Sequence, residues 1–191
     1  MGFLDSIFGG SKKLKTADAD RQFAMATAQV TLETSLNMKS RGVAAIVFQQ
    51  IANADFKQIL SDSEELVKSA ASDTGTTLTQ DDDEYGYRWM VFRDQDFDDL
   101  VTAVNTVAGE LQAGGYGDRV LAAVFAWQDD ASHEVDFIYN FKRGRFYPFA
   151  PKPGKTRDNE YELRLKAQIE NDLPIEPELD RWFPLWDAPI N

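Results

Sequence analysis

The sequence predicts an α+β protein with a largely antiparallel sheet of about five strands and helices packed on it. Apolar residues make up 43% of the 191-residue chain, which is enough for a hydrophobic core. Short apolar runs alternate with segments of helical spacing, and turn residues join neighbouring runs into hairpins. Because hairpins pair antiparallel, we expect the helices to cover one such sheet.

Two predicted helices flank the first predicted strand. The first helix begins near Asp20, with Asp18 or Asp20 as its cap. Its stripe of helical spacing consists of Phe23, Thr27, Val30 and Thr34. The apolar run 43–48 predicts a buried strand. Asn53 then caps a second helix, whose inner positions are Phe56, Ile59, Leu60, Ser63, Leu66, Val67 and Ala70.

The middle of the chain predicts a hairpin and the clearest helix. Residues 76–79 and 85–92 are predicted strands, joined by the acidic turn 81–84. Asp96 is the N-cap of the helix that follows, and two glycines at 114–115 end it. The apolar face of this helix consists of Phe97, Leu100, Val101, Val104, Val107, Ala108 and Leu111.

The second half predicts two further strands, at 120–127 and 135–141, followed by a Pro/Gly linker at 151–154. Asn159 and Glu162 have the spacing of a capping box, which opens a last helix near 160–171. We expect the chain to divide as follows: a short amphipathic segment at 1–15, the α+β domain at 16–150, and a C-terminal helix with a Pro/aromatic tail at 151–191, packed on the same domain.

Composition narrows the function classes. The net charge of −12 repels nucleic-acid backbones, so no nucleic-acid partner is predicted. The absence of cysteine excludes disulfides and zinc–thiolate sites. No apolar run is long enough to cross a bilayer, and the first residues do not resemble a secretory leader. These features predict a cytoplasmic protein, either free or peripheral at the inner face of the membrane.

The chain offers no catalytic constellation. His133 is the single histidine, and its neighbour Ser132 lies in the same predicted turn, where the two side chains would not face each other. The acidic turn lacks the spacing of an EF-hand loop. The glycines at 114–117 follow a helix, whereas a phosphate loop opens one. We therefore predict no catalytic residue, no metal site and no cofactor, and we expect a protein that is not an enzyme.

The N-terminal segment carries a first candidate contact surface. Its apolar side chains lie on one side of a two-turn helix, beside the lysines at 12, 13 and 15. These side chains are Phe3, Leu4, Ile7 and Phe8. They are predicted to contact a membrane surface or a partner, or else to dock on the chain's own domain.

Two segments that combine arginine with large aromatics are the second candidate surface. Arginine and aromatic residues are enriched at the anchor positions of interfaces, so these side chains are predicted to contact a protein partner. They are Arg143, Arg145, Phe146, Tyr147, Phe149, Arg181, Trp182 and Trp186. In the alternative interpretation, the proline-rich tail folds back and covers the sheet edge or an exposed core face.

Several motifs together resemble the PspA-associated protein PspAB family over nearly the whole chain. They are the opening 1–5, the strand 85–89, the helix positions 99–102, the Gly-Tyr-Gly at 115–117, the run 143–151 and the aromatic run 182–186. Arg-Gly-x-Phe-Tyr-Pro-Phe-Ala-Pro at 143–151 is the most specific of these. The order of elements also resembles type III secretion chaperone-like topology.

The resemblance implies a role in envelope stress, since members of that family are encoded near the phage-shock protein PspA and an HtpX-type membrane protease. It implies no catalytic residue. The leading hypothesis is an accessory or adaptor protein that binds a PspA-like protein or an HtpX-type protease. The alternative is a small-molecule binder or an uncharacterised enzyme, with a pocket between sheet and tail that holds Arg143, Arg145, Tyr147 or Asp158.

Overall fold

The computed structural model describes residues 21 and 23–190, except for the side chain of Ser72. Its helices are α1 (Ala24–Thr34), α2 (Ala54–Thr74), α3 (Phe97–Ala113) and α4 (Asn159–Ile169). Its strands are β1 (Lys39–Gln49), β2 (Thr77–Asp82), β3 (Tyr87–Arg93), β4 (Val120–Gln128), β5 (Glu134–Asn140), β6 (Arg145–Phe149), β7 (Pro151–Lys152) and β8 (Thr156–Arg157). The α+β class predicted from the sequence is confirmed.

The main sheet has six antiparallel strands in the order β2-β3-β1-β4-β5-β6. It contains one strand more than the sequence predicted, because the aromatic run 145–149 pairs with β5. The predicted Pro/Gly linker instead forms the small hairpin of β7 and β8. Within the described residues, every helix is too short or too polar to cross a bilayer.

The two faces of the sheet are covered by different parts of the chain. On one face, Phe97 of α3 packs edge-on against Phe125 and Trp127, and α2 packs beside α3. On the opposite face lie Tyr147 and Phe149, which contact the C-terminal segment. Both faces are therefore buried, and most residues of β4 and β5 have almost no exposed surface.

The stripe of helical spacing predicted for α1 faces solvent, and other residues of the helix form its buried face. Phe23 is 46% exposed and Val30 is 64% exposed. The residues that α1 buries are Met25, Ala28 and Leu32. The helix has apolar residues on two opposite faces, and packing of α1 against α3 and α4 determines which one is buried. Phe23 occupies the N-cap without a side-chain cap, and the predicted caps lie outside the described residues.

Two further helix details differ from the expectation. Leu66, predicted on the inner face of α2, is 49% exposed. The N-cap of α4 is Asp158, whose carboxylate accepts a hydrogen bond from the Tyr161 N–H at 3.1 Å. No capping box forms at Asn159, because the Glu162 carboxylate is occupied by Arg157 and the Ala150 N–H. The caps predicted at Asn53 and Asp96 are confirmed.

Gly42 lies at an irregularity of β1, where the pairing with β4 shifts register between Ser40 and Ala44. Its φ is +70°, and a Cβ atom there would lie 2.8 Å from the backbone oxygen of Asp94. Gly75 has a φ of +90° with nothing within 4 Å of such an atom. A side chain at Gly75 would therefore meet only the strain of a left-handed backbone, whereas one at Gly42 would also clash with Asp94.

Gly42→Ala should lower the free energy of unfolding by about 2 kcal/mol or more, because the left-handed strain of roughly 1–2 kcal/mol adds to displacement of the Asp94 carbonyl. Gly75→Ala should lower it by only about 1 kcal/mol. Urea denaturation of both variants measures the difference. Equal losses would show that the contact with Asp94 carries no strain.

Candidate functional site

The segment after α4 runs along β6 and covers that edge of the sheet. The Phe146 N–H donates to the Pro174 carbonyl oxygen at 2.9 Å, and the Glu176 N–H donates to the Phe146 carbonyl oxygen at 2.8 Å. Ile175 thereby forms a parallel bridge with Phe146. The edge groups of β6 are satisfied by the chain itself at this point.

Arg143 attaches this segment to the turn before β6. Its Nε and Nη2 donate to the two carboxylate oxygens of Glu176 at 2.8 and 3.0 Å, and Nη2 also donates to Glu178 at 2.9 Å. Burial alone would raise the pKa of Glu176, but the hydrogen bonds from Arg143 and from the Glu178 N–H hold it below its usual value. Glu176 is therefore an ionised, buried anchor.

Arg157 and Glu162 form a second, more deeply buried attachment. The Arg157 Nε donates to both Glu162 oxygens at 2.9 Å, and Nη1 donates to the Trp182 carbonyl oxygen at 2.6 Å. Arg157 Nη2 lies 2.8 Å from Glu162 Oε2 without the alignment of a hydrogen bond. Glu162 also accepts from the Ala150 N–H at 2.8 Å. Burial raises the pKa of Glu162, and Arg157 partly opposes this rise.

The aromatic side chains of the two predicted segments pack on one another. Tyr147 stacks on Trp182 with ring centroids 6.3 Å apart, and Phe149 packs edge-on against Trp186 at 5.0 Å. Burial raises the pKa of the Tyr147 hydroxyl above its usual range. On the opposite face of the sheet, Phe146 packs on its cross-strand neighbour Tyr139.

The structure thus brings together most of the side chains predicted to contact a partner, but in contacts within the chain. Phe146, Tyr147, Phe149 and Trp182 are buried, as in the alternative interpretation in which the tail covers the sheet. A partner would reach Tyr147 and Phe149 only after displacement of the tail, since Trp182 and Trp186 pack on them. Arg181 pairs with Glu178 at 3.2 Å. Arg145 and Trp186 are partly exposed.

The N-terminal side chains Phe3, Leu4, Ile7 and Phe8 lie outside the described residues. Their contact with a membrane or a partner stays a prediction.

A cleft of about 360 Å³ lies between the sheet and the C-terminal segment. Its walls come from the beginnings of β1 and β5, from the β7–β8 hairpin and from residues 185–190. It is partly open to solvent and combines charged with apolar surface. The side chains that give it chemical character are Arg41, Glu134, Asp136, Lys152, Trp186 and Ile190.

Asp136 is the unusual residue of this cleft. It is 5% exposed and lies in a strand whose other residues after Glu134 are also buried. Within residues 21 and 23–190, no group donates a hydrogen bond to its Oδ1 atom. Burial raises the pKa of Asp136 to about 7, against the opposing effect of Arg41 and with a further rise from Glu134.

The other charged groups of the cleft have partners. Arg41 Nη2 lies 3.2 Å from Glu134 Oε1, and Lys152 Nζ lies 2.6 Å from Asp158 Oδ2. Asp136 therefore differs from them: it is buried, and its Oδ1 atom accepts no hydrogen bond from the described residues.

The cleft has the position predicted by the alternative hypothesis but different residues. Arg143, Tyr147 and Asp158, which were predicted to line a pocket, do not line it, and neither does Arg145. A signal for the cleft was present in the sequence: Asp136 is a charged residue inside the apolar run 135–141, which was predicted as a buried strand.

Geometry at the single histidine agrees with a turn residue. The His133 side chain is 69% exposed, its Nδ1 lies 3.0 Å from Asp129 Oδ2, and the Tyr161 hydroxyl donates to the same oxygen at 3.2 Å. In the part of the chain that the structure describes, no group of three or more acidic or histidine side chains could hold a metal ion.

Comparison with protein families finds a match to the model described as PspAB, PspA associated protein B, over residues 1–190. Searches of curated proteins and of solved structures find no significant match. The likeness to type III secretion chaperone topology accordingly stays a prediction.

Proposed function

We propose, from the fact that the chain belongs to the PspA associated protein B family, that it is an accessory protein of an envelope stress response and acts by binding a protein partner. Family membership over residues 1–190 is the observation that carries the proposal. A PspA-like protein is the first candidate partner, because the family description names that association. The proposal assigns no catalysis to the chain.

The outward face of α1 is the surface that best supports such binding. We call Phe23, Thr27, Val30 and Thr34 the α1 outer stripe. Its two large apolar members are 46% and 64% exposed and lie seven residues apart, on the same side of the helix two turns from each other. Apolar side chains at this spacing are anchors by which helices bind partner proteins.

We further propose a second candidate partner and a location at the membrane. An HtpX-type membrane protease is the second candidate partner, implied by the family resemblance. Contact with the inner face of the membrane would use residues 1–15, whose apolar side chains and lysines suit an anionic surface.

Phe23→Ser combined with Val30→Ser should weaken binding to a purified PspA-like protein at least about tenfold, since two apolar anchors are lost. The change should lower the free energy of unfolding by less than about 1 kcal/mol, because both side chains are already exposed. Surface-immobilised binding assays and urea denaturation give the two values.

Leu163→Ser is the matched control, since Leu163 of α4 is 44% exposed but lies outside the α1 outer stripe. It should bind as the unchanged chain does. The α1 surface would be rejected by a double variant that binds normally. The choice of partner would be rejected if the unchanged chain bound only the protease.

A further inference from the structure

The cleft holds the carboxylate of Asp136, whose Oδ1 atom accepts no hydrogen bond from any group of residues 21 and 23–190. Asp136 lies opposite Phe149 across the β5–β6 pair, and Trp186 packs on Phe149, so the carboxylate and the indole line the same cleft. A buried carboxylate without a donor is unfavourable by several kcal/mol when ionised, so such groups are normally paired. An occupant that donates to Asp136 would remove this penalty.

Charge favours a cationic occupant. Arg41 is engaged with Glu134 at 3.2 Å, so an anion would have to compete with a carboxylate already in place. The net charge of −12 also lowers the local concentration of anions and raises that of cations. A neutral occupant would leave the charge of Asp136 unbalanced.

The apolar part of the lining suits a cation that carries an alkyl chain. The indole of Trp186, which is partly exposed, lines the cleft and is a ring to which an ammonium group is attracted. Leu185 and Ile190 also line the cleft, and the small area that they leave accessible is apolar. A volume of about 360 Å³ admits a small molecule of this kind.

We propose that this cleft binds a small aliphatic primary amine, with its ammonium group on the Asp136 carboxylate and its alkyl chain against Trp186 and Ile190. The cleft shares no residue with the α1 outer stripe, so amine binding can be tested independently of the protein partner proposed for that stripe. Lys152 also lines the cleft, but its Nζ is paired with Asp158 at 2.6 Å and not with Asp136.

The test uses butylammonium as the probe, with butanol and pentanoate as neutral and anionic probes of similar length. Binding is followed by NMR, through the carboxyl ¹³C shift of Asp136 and the indole N–H of Trp186. We expect saturable shifts with butylammonium and much weaker shifts with the other two. Asp136→Asn should weaken butylammonium binding at least about tenfold, whereas Glu160→Gln, an exposed acid of α4, should leave it unchanged.

Binding should also depend on pH through Asp136, within the field of Arg41, Glu134 and Lys152. Because the ammonium group pairs with the ionised carboxylate, and the free group has a pKa of about 7, affinity should rise about tenfold between pH 6 and pH 8. Asp136→Asn should lose this rise. If a capped lysine bound more tightly than butylammonium, the site would be supported, and its natural ligand would be the lysine side chain of a peptide.

Two results would overturn the inference. One is binding of butanol or pentanoate as tight as that of butylammonium. The other is an Asp136→Asn variant that binds butylammonium unchanged while remaining folded.

Discussion

Glu162→Ala should lower the free energy of unfolding by about 3–5 kcal/mol, because it breaks a buried ion pair. The change leaves the guanidinium of Arg157, which is 18% exposed, without its counter-charge. It also removes the acceptor of the buried Ala150 N–H. Because Arg157 donates to the Trp182 carbonyl oxygen, the C-terminal segment should loosen together with the ion pair. Urea denaturation followed by tryptophan fluorescence measures both effects.

Two variants show whether the loss comes from the stranded charge. Glu160→Ala removes a neighbouring acid that is exposed, and should change the free energy of unfolding by less than about 1 kcal/mol. Arg157→Met combined with Glu162→Leu removes both charges, and should lower the free energy of unfolding by only about 1–3 kcal/mol, because the Ala150 N–H and the Trp182 carbonyl oxygen still lose their partners. If the double variant were as unstable as Glu162→Ala, the lost hydrogen bonds and packing rather than the stranded charge would explain the loss.

Asp136→Asn should stabilise the protein, and increasingly so as the pH rises. The folded-state pKa of Asp136 is about 7, above its ordinary value of 3.8, so the folded protein binds more protons than the unfolded chain between these values. The stability that protonation supplies is complete below pH 3.8 and is lost as the pH rises through 7. Asparagine does not titrate and keeps the shape of the side chain.

The advantage of Asp136→Asn over the unchanged chain should therefore grow by about 4 kcal/mol between pH 4 and pH 8.5. Urea denaturation of both proteins across this range gives the difference. A difference that stays constant with pH would mean that Asp136 titrates normally, and hence that it is not buried as described.

The elements that could be predicted from the sequence are those in which local signals agree. For α3, the cap at Asp96, the apolar face and the terminal glycines all indicate one helix, and the structure has it. The direction in which α1 faces could not be predicted. Phe23 and Val30 lie on one side and Met25 and Leu32 on the other, and only contact with α3 and α4 selects between them.

The strand β6 was missed, unlike the buried run 43–48, because Pro148 within it argues against a strand inside a sheet. In the structure both faces of β6 are covered: Phe146 lies beside Tyr139 on one face, and Tyr147 stacks on Trp182 on the other. Its arginine and aromatics have the composition of an interface, and the partner they contact is the chain's own tail. The pair of Arg143 and Glu176 spans 33 positions, a distance over which single-sequence patterns carry no information.

The cleft was anticipated in position but not in its residues. A pocket between sheet and tail follows from a proline-rich segment lying over a sheet, whereas its lining depends on how β1, β5 and the β7–β8 hairpin meet. Asp136 was visible as a charge inside an apolar strand, but a sequence does not show whether such a charge finds a donor. That question is settled by the register that places it beside Phe149 and the tail.

The unequal edges of the sheet bear on self-association in concentrated solution. At β6, residues 174–176 pair with the edge groups of Phe146, so a second chain cannot pair there. At β2, the end of the strand carries Asp81 and Asp82, both exposed, and Arg88 neutralises only the second of them. Edge-to-edge stacking of two copies would bring this negative charge together. The molecule should therefore resist fibril formation best at neutral pH and low ionic strength, and lose that resistance as acid or salt removes the repulsion.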